Sequence, residues 1–180
     1  MLNSVKKYPH PVIKYISREQ WGARPPKTPP ENLKIPVLTL HVYDTRTKDC
    51  KTKEECMKTV QDLQNEYMFY RGFDDIPWNF LIGKDGNIYE GRGFKVKPIK
   101  TDLDHPRQKK WDGKSIDVAY IGDYRKKSAS LKMSVPLTGL IVETDRLGVM
   151  VTYFKLVMFV KKARDWKTRF IESEFPEELR

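Results

Sequence analysis

Trp78-Asn79-Phe80-Leu81-Ile82-Gly83-Lys84-Asp85-Gly86-Asn87-Ile88-Tyr89-Glu90 decides the fold. Two β-rich runs, Phe80–Ile82 and Ile88–Glu90, flank an Asp-Gly pair. Glycine accepts the positive φ of a tight turn, so the segment predicts a β-hairpin. Gly91-Arg92-Gly93 then permits a sharp exit into a long polar stretch, Lys95 to Lys114. Beyond it Ile116-Asp117-Val118-Ala119-Tyr120-Ile121 reads as another strand.

Upstream, Val37-Leu38-Thr39-Leu40-His41-Val42-Tyr43 is apolar enough for a central strand, with His41 near its end. Thr52-Lys53-Glu54-Glu55 is a capping box. The Thr52 hydroxyl can accept from the Glu55 amide, and the Glu55 carboxylate can reach back to the Thr52 amide. The helix it opens carries Met57, Val60, Leu63, Gln64, Tyr67 and Met68 at steps of three and four, one buried stripe, and Gly72 is its natural stop. Leu137, Leu140, Ile141, Thr144 and Leu147 keep helical spacing behind Pro136, a residue tolerated in a first helical turn. A third helix is expected over Phe159–Phe170, ahead of an acidic terminus. Strands alternating with helices predict an α/β domain with a mixed central β-sheet flanked by helices. Residues 1–30 are rich in Pro and Lys and read as irregular, with a buried Trp21 pinning them to the body. The domain proper is taken as residues 15–180, behind a lead-in of residues 1–14.

At 180 residues the chain suits one domain able to bury roughly two thirds of its unfolded surface. No apolar run approaches the roughly 18 residues that cross a bilayer, and the first residues lack the apolar core of a secretory signal, so an exported protein would be a mature or excised form. Thirty-four Lys and Arg against 24 Asp and Glu give a net charge of +10, a field that steers anions without naming one. The basic residues are dispersed and no helix-turn-helix, zinc-finger or base-stacking signature accompanies them, so nucleic acid is not the expected partner. Cys50 and Cys56 enclose five residues, a spacing that favours a small disulfide loop over free thiols and suits zinc poorly. A disulfide implies an oxidising compartment, and an extracellular location is expected.

The chain has three histidines, His10, His41 and His105. A catalytic zinc needs three protein ligands and an open position for water. His10 lies in the Pro-flanked tail and His105 before Pro106 in a charged stretch, so His41 has no credible histidine partner and no cofactor is expected.

Ile16-Ser17-Arg18-Glu19-Gln20-Trp21-Gly22-Ala23-Arg24, the Cys50–Cys56 loop, the run from Asp75 to Phe94 and Tyr120-Ile121-Gly122-Asp123-Tyr124 together resemble the peptidoglycan recognition proteins of animal innate immunity. The likeness covers roughly residues 15–179. It implies the type 2 amidase fold and an extended groove that in the family holds the glycan and stem peptide of bacterial cell wall. In catalytic members two His and one Cys hold zinc there, a Tyr assists, and the bond between N-acetylmuramic acid and L-alanine is cut. Here His41 matches the first zinc ligand, Phe159 stands at the second, Phe175 at the third, and Trp78 at the catalytic Tyr. The two phenylalanines pack in the core or line the groove; neither can ligate. Family groove positions carry Tyr67, Phe73, Phe94 and, in Pro98-Ile99-Lys100-Thr101, Lys100 in place of a ring. Lys114 falls near an Arg that in some members grips a diaminopimelate carboxylate, although a solvated lysine is the simpler reading.

The expected groove is thus His41, Tyr43, Tyr67, Arg71, Phe73, Trp78, Phe94, Lys100, Thr101, Lys114 and Phe159. Three functions follow from the resemblance. The favoured one is a non-catalytic regulator that pairs with a related peptidoglycan receptor, its own groove degenerate or blocked. The alternative is a non-catalytic receptor that binds a peptidoglycan fragment directly, with aromatic walls and Arg71, Lys100 and Lys114 against carboxylates. An amidase is the least favoured.

Overall fold

A computed structural model of the protein describes residues 13–101, 112–162 and 165–171, with side chains for 13–37, 39–101 and 112–150. Seven strands form one mixed sheet: β1 (Tyr15–Ile16), β2 (Val37–Asp44), β3 (Phe80–Ile82), β4 (Ile88–Glu90), β5 (Ser115–Tyr120), β6 (Met150–Lys162) and β7 (Asp165–Ile171). Their order across the sheet is β1-β4-β3-β5-β2-β6-β7. β3 and β4 make the expected antiparallel hairpin, and Gly86 turns it at φ 85°. β2, at the centre, runs parallel to β5 on one side and β6 on the other.

Strand alternation divides the core. Leu40, Val42, Ile116 and Val118 point to one face, where they pack with Phe80, Ile82, Met133 and Leu140 under α2 (Leu131–Arg146). Leu81, Tyr89, Ala119 and Ile121 point to the other, against Val60 and Leu63 of α1 (Lys53–Asn65). Thr52 caps α1 by accepting from the Glu55 amide at 3.2 Å. The Glu55 carboxylate reaches back to the amides of Lys51, at 2.8 Å, and Thr52. α1 closes through a π-helical turn, Glu66–Tyr70, and the chain leaves at Gly72 with φ 76°. Cys50 and Cys56 are bonded, with Cα atoms 5.0 Å apart, at the start of this helix.

The lead-in is pinned as expected. Trp21 is fully buried and donates its indole N–H to the Glu90 carbonyl at 2.8 Å. Arg18 reaches the Gly91 and Arg24 carbonyls and the buried Asp75.

Two expectations need correction. α2 starts at Leu131, five residues before Pro136, so the proline lies inside the helix and removes an N–H that would bond the Lys132 carbonyl. The third helix does not form: residues 159–162 fall in β6 and residues 165–170 in β7, paired antiparallel. The run Val151-Thr152-Tyr153-Phe154 and Val157-Met158-Phe159-Val160 is rich in β-branched and aromatic residues, and Asp165-Trp166-Lys167-Thr168-Arg169-Phe170 alternates polar with apolar at period two. The open edge of β2 supplied the pairing partner that local spacing does not reveal.

Candidate functional site

On the α1 side of the sheet, a cleft of about 360 Å³ opens between the ends of β2 and β5, the π-turn and the Pro98–Thr101 segment. Tyr43, Tyr67, Trp78 and Ile99 supply its apolar walls; Arg46, Arg71, Glu66 and Asp44 supply charge. Trp78 meets Tyr67 edge-on at 5.3 Å between ring centroids. Arg71 lies over the Tyr67 ring at 4.7 Å and gives both Nε and Nη2 to Glu66.

Below this cleft the sheet holds a buried polar cluster. Parallel pairing sets His41 directly beside Asp117, so both side chains leave the sheet on the same face. Lys100 reaches in from the loop. Its ammonium donates to Asp117 Oδ2 at 2.5 Å and to Ser115 Oγ at 2.9 Å, and lies 3.4 Å from His41 Nδ1. Two of its donors thus meet acceptors, and the contact with His41 Nδ1 depends on the tautomer of the ring. Ser115 Oγ donates to Asp117 Oδ1 at 2.6 Å, and His41 Nδ1 lies 3.3 Å from that oxygen. Tyr43 OH is 3.4 Å from His41 Nδ1. Asn79 ties the strand down, accepting from the Asp117 amide and donating to the carbonyls of Gly93 and Val96, each at 2.8 Å.

The side chains of Lys100, Asp117 and His41 are 1%, 3% and 1% exposed. Burial alone would raise the Asp117 pKa, but the Lys100 charge and the His41 contact outweigh it and hold the carboxyl below the ordinary carboxylate range. Burial lowers the His41 pKa, with Lys100 adding to the effect and Asp117 opposing it, so the ring is neutral at pH 7. Burial, reinforced by Asp117, raises Tyr43 well above an ordinary phenol. At neutral pH the cluster is an ammonium–carboxylate pair flanked by a neutral imidazole and a neutral phenol.

This arrangement does not fit a divalent metal at His41 Nδ1. An ion about 2.1 Å from Nδ1 would lie within about 5.5 Å of the Lys100 ammonium, given the 3.4 Å separation of the two nitrogens. Two like charges in a low-dielectric floor repel strongly. Among the described residues no group of three or more His, Cys, Asp or Glu could hold a metal ion.

Of the expected groove residues, His41 lies in the floor with Lys100, and Tyr43, Tyr67, Arg71, Trp78, Lys100 and Thr101 line the cleft. Three do not belong to it. Phe94 packs on Tyr15 and Phe80 at the other face of the sheet, because the φ of 72° at Gly93 turns the chain across the β3–β4 end. Phe73 sits behind Tyr67, its ring 5.8 Å away. Lys114 is exposed and lines no part of the cleft. Phe159 belongs to β6, two residues past Val157, the pairing partner of His41; its side chain, like Phe175, lies outside the described residues.

Sequence reading missed Asp117, Ser115 and Arg46. The signal for Asp117 was a lone carboxylate in the apolar run Ile116-Asp117-Val118-Ala119, which a strand buried on both faces does not tolerate without a partner.

No family model matches the chain. It is 32% identical over 142 residues to peptidoglycan-recognition protein 1 of Holotrichia diomphalia, covering 79% of this chain and 68% of that protein. Peptidoglycan-recognition protein LC of Drosophila melanogaster is 32% identical over 168 residues, 91% of this chain but 31% of that longer protein. Among solved structures, the ectodomain complex of peptidoglycan recognition proteins LCa and LCx with tracheal cytotoxin gives a TM-score of 0.75 at 27% identity, covering 81% of this chain and 84% of that one. Drosophila PGRP-LB gives 0.74 at 30% identity, covering 84% and 86%. The extent of these matches shows that the chain belongs to the peptidoglycan recognition protein family, with its amidase-like fold.

Proposed function

We propose that this domain binds a peptidoglycan fragment without hydrolysing it and serves outside the cell in the regulation of peptidoglycan sensing. The observation that carries the reading is the Lys100 ammonium seated between Asp117, Ser115 and His41. Amide hydrolysis by a zinc amidase needs a metal-bound water brought to a pKa near 7. An ammonium supplies charge at that place but no open coordination position, so it generates no hydroxide. Trp78 offers no phenol where catalytic relatives place Tyr, and Phe159 and Phe175 offer no lone pair at the other two ligand positions.

Lys100 is folded into the floor and does not stand across the cleft. The described walls still enclose about 360 Å³ lined by tyrosines, Trp78 and two arginines, which favours direct binding over a blocked groove. A site of this size suits the peptide arm of a muropeptide. The Cys50–Cys56 disulfide supports an extracellular setting.

A second reading, regulation by pairing with a related receptor, draws support from the similar LCa–LCx ectodomain complex, in which two such domains are found with tracheal cytotoxin. Titration calorimetry with soluble muropeptides, alone and with a related receptor ectodomain, separates the two. Saturable heat with the domain alone at micromolar ligand supports direct binding. Heat that appears only when both proteins are present supports pairing. Cleaved product in the presence of zinc would overturn both.

A further inference from the structure

The face of the sheet opposite the cleft carries a second depression, of about 310 Å³, where α2 meets the lead-in and the turn of the β3–β4 hairpin. Its origin lies in the spacing along α2. Leu131, Val135 and Gly139 fall at steps of four, so they share one stripe of the helix. Leu131 and Val135 are 80% and 51% exposed, and Gly139 adds no side chain to the stripe. Pro136, buried, lies on the neighbouring stripe beside them. Across the depression Ile13 packs against the α2-side core, and the Lys14 carbonyl accepts from the Ile88 amide at 2.8 Å, which fixes the lead-in on the hairpin. The hairpin turn closes the third side. A Cβ at Gly86 would come within 3.3 Å of the Lys132 stem.

Two branched apolar side chains exposed on one helical stripe beside a concave surface mark a binding site better than an ordinary solvated face. The charges around them favour an anion. Lys14 and Lys132 are exposed at the edge of the depression, and neither makes an ion pair with the described residues. Asp85, the carboxylate among the lining residues, is turned into the hairpin, where it accepts from the Tyr89 hydroxyl at 2.6 Å and the Asn87 amide at 3.2 Å.

We infer that this depression binds a single-chain anionic amphiphile, an alkyl carboxylate whose chain lies along Leu131, Val135 and Gly139 and whose head meets Lys14 and Lys132. From Leu131 to Gly139 the helix axis runs about 12 Å, the reach of a medium-length alkyl chain. An apolar floor with a few polar groups at its edge is the usual build of a small-ligand site. A lysine ammonium holds a carboxylate as a point charge and imposes no bidentate geometry on it. The site lies on the other face of the sheet from the cleft, so it stands or falls apart from the peptidoglycan reading.

Titration calorimetry on the whole chain with octanoate, decanoate and decanol, each below the concentration at which it aggregates, tests the assignment. Decanoate should bind saturably, and more tightly than octanoate by on the order of tenfold, as two further buried methylenes require. Lys132→Glu should weaken decanoate by about three- to tenfold and leave decanol as it was. Val135→Glu should abolish the binding of both; the position is half-exposed, so its thermal melt should match wild type. Amide shifts on adding decanoate should cluster at Lys14, Gly86, Lys132 and Gly139. No saturable binding of decanoate, or shifts that cluster at Tyr67 and Arg71 of the cleft, would overturn the site. Equal weakening of decanoate and decanol by Lys132→Glu would overturn its preference for an anion.

Discussion

Two buried carboxylates, Asp75 and Asp117, sit on the α1 side of the same sheet and carry basic partners, yet they do different things. Asp75 is shared by Arg18 and Arg92, at 3.0 and 3.5 Å, and also accepts from Gln64 at 2.7 Å and its neighbour's amide at 2.8 Å. Its partners come from the lead-in, α1 and the exit of β4, so it ties three loops and elements together away from the cleft. Asp117 is held by one cation, Lys100, and shares a strand pairing with His41 beneath the cleft. The first is a knot of many strings. The second is a one-for-one exchange of charge beside His41, the residue that the family resemblance matches to a zinc ligand.

That contrast predicts how each fails. Removing Lys100 leaves a buried carboxylate with no compensating charge, so Lys100→Met should destabilise the domain by about 3–5 kcal/mol in urea unfolding. Adding Asp117→Asn should recover much of that loss, because the pair is coupled. Additive losses would show that the two are not a unit. Arg18→Ala should cost less, about 1–3 kcal/mol, since Arg92 stays on Asp75. It should act locally, with faster hydrogen exchange at the amides of Trp21 and Ala23. Global unfolding in step with exchange at β5 would break the distinction.

pH separates the clusters more gently. His41 has a lowered pKa in the fold, so the unfolded chain binds its proton first and stability falls as pH drops below about 6.5. Asp117 has a depressed pKa, so its contribution is intact above about 4 and is lost only as pH falls through the native value below that. Thermal melts between pH 7 and 5 should show a shallow loss that His41→Gln reduces and Arg18→Ala leaves in place. An unchanged slope in His41→Gln would remove the imidazole from the account.

Local pattern carried the hairpin, α1 with its cap, and the place of His41, because each is specified by neighbours within a few residues. The β6–β7 pair was not legible over 159–170: the choice of strand over helix depended on the vacant edge of β2, more than 100 residues earlier. Groove membership was legible by position but not by face. Tyr67 and Trp78 reached the cleft, whereas Phe94 was turned to the opposite core beyond Gly93. Lys100 was singled out as a groove cation, yet its role depended on Asp117, 17 residues on in a different strand. Reading both as one site needs the pairing of β2 with β5.

The proposed function requires that the Lys100 ammonium beside His41 keep a metal ion from that place. Metal analysis of purified wild-type protein after incubation with zinc and removal of the excess tests it most directly. Substoichiometric zinc, with the Lys100–Asp117 pair intact, is the expected result. One tightly held zinc per chain, quenched by His41→Gln, would contradict it.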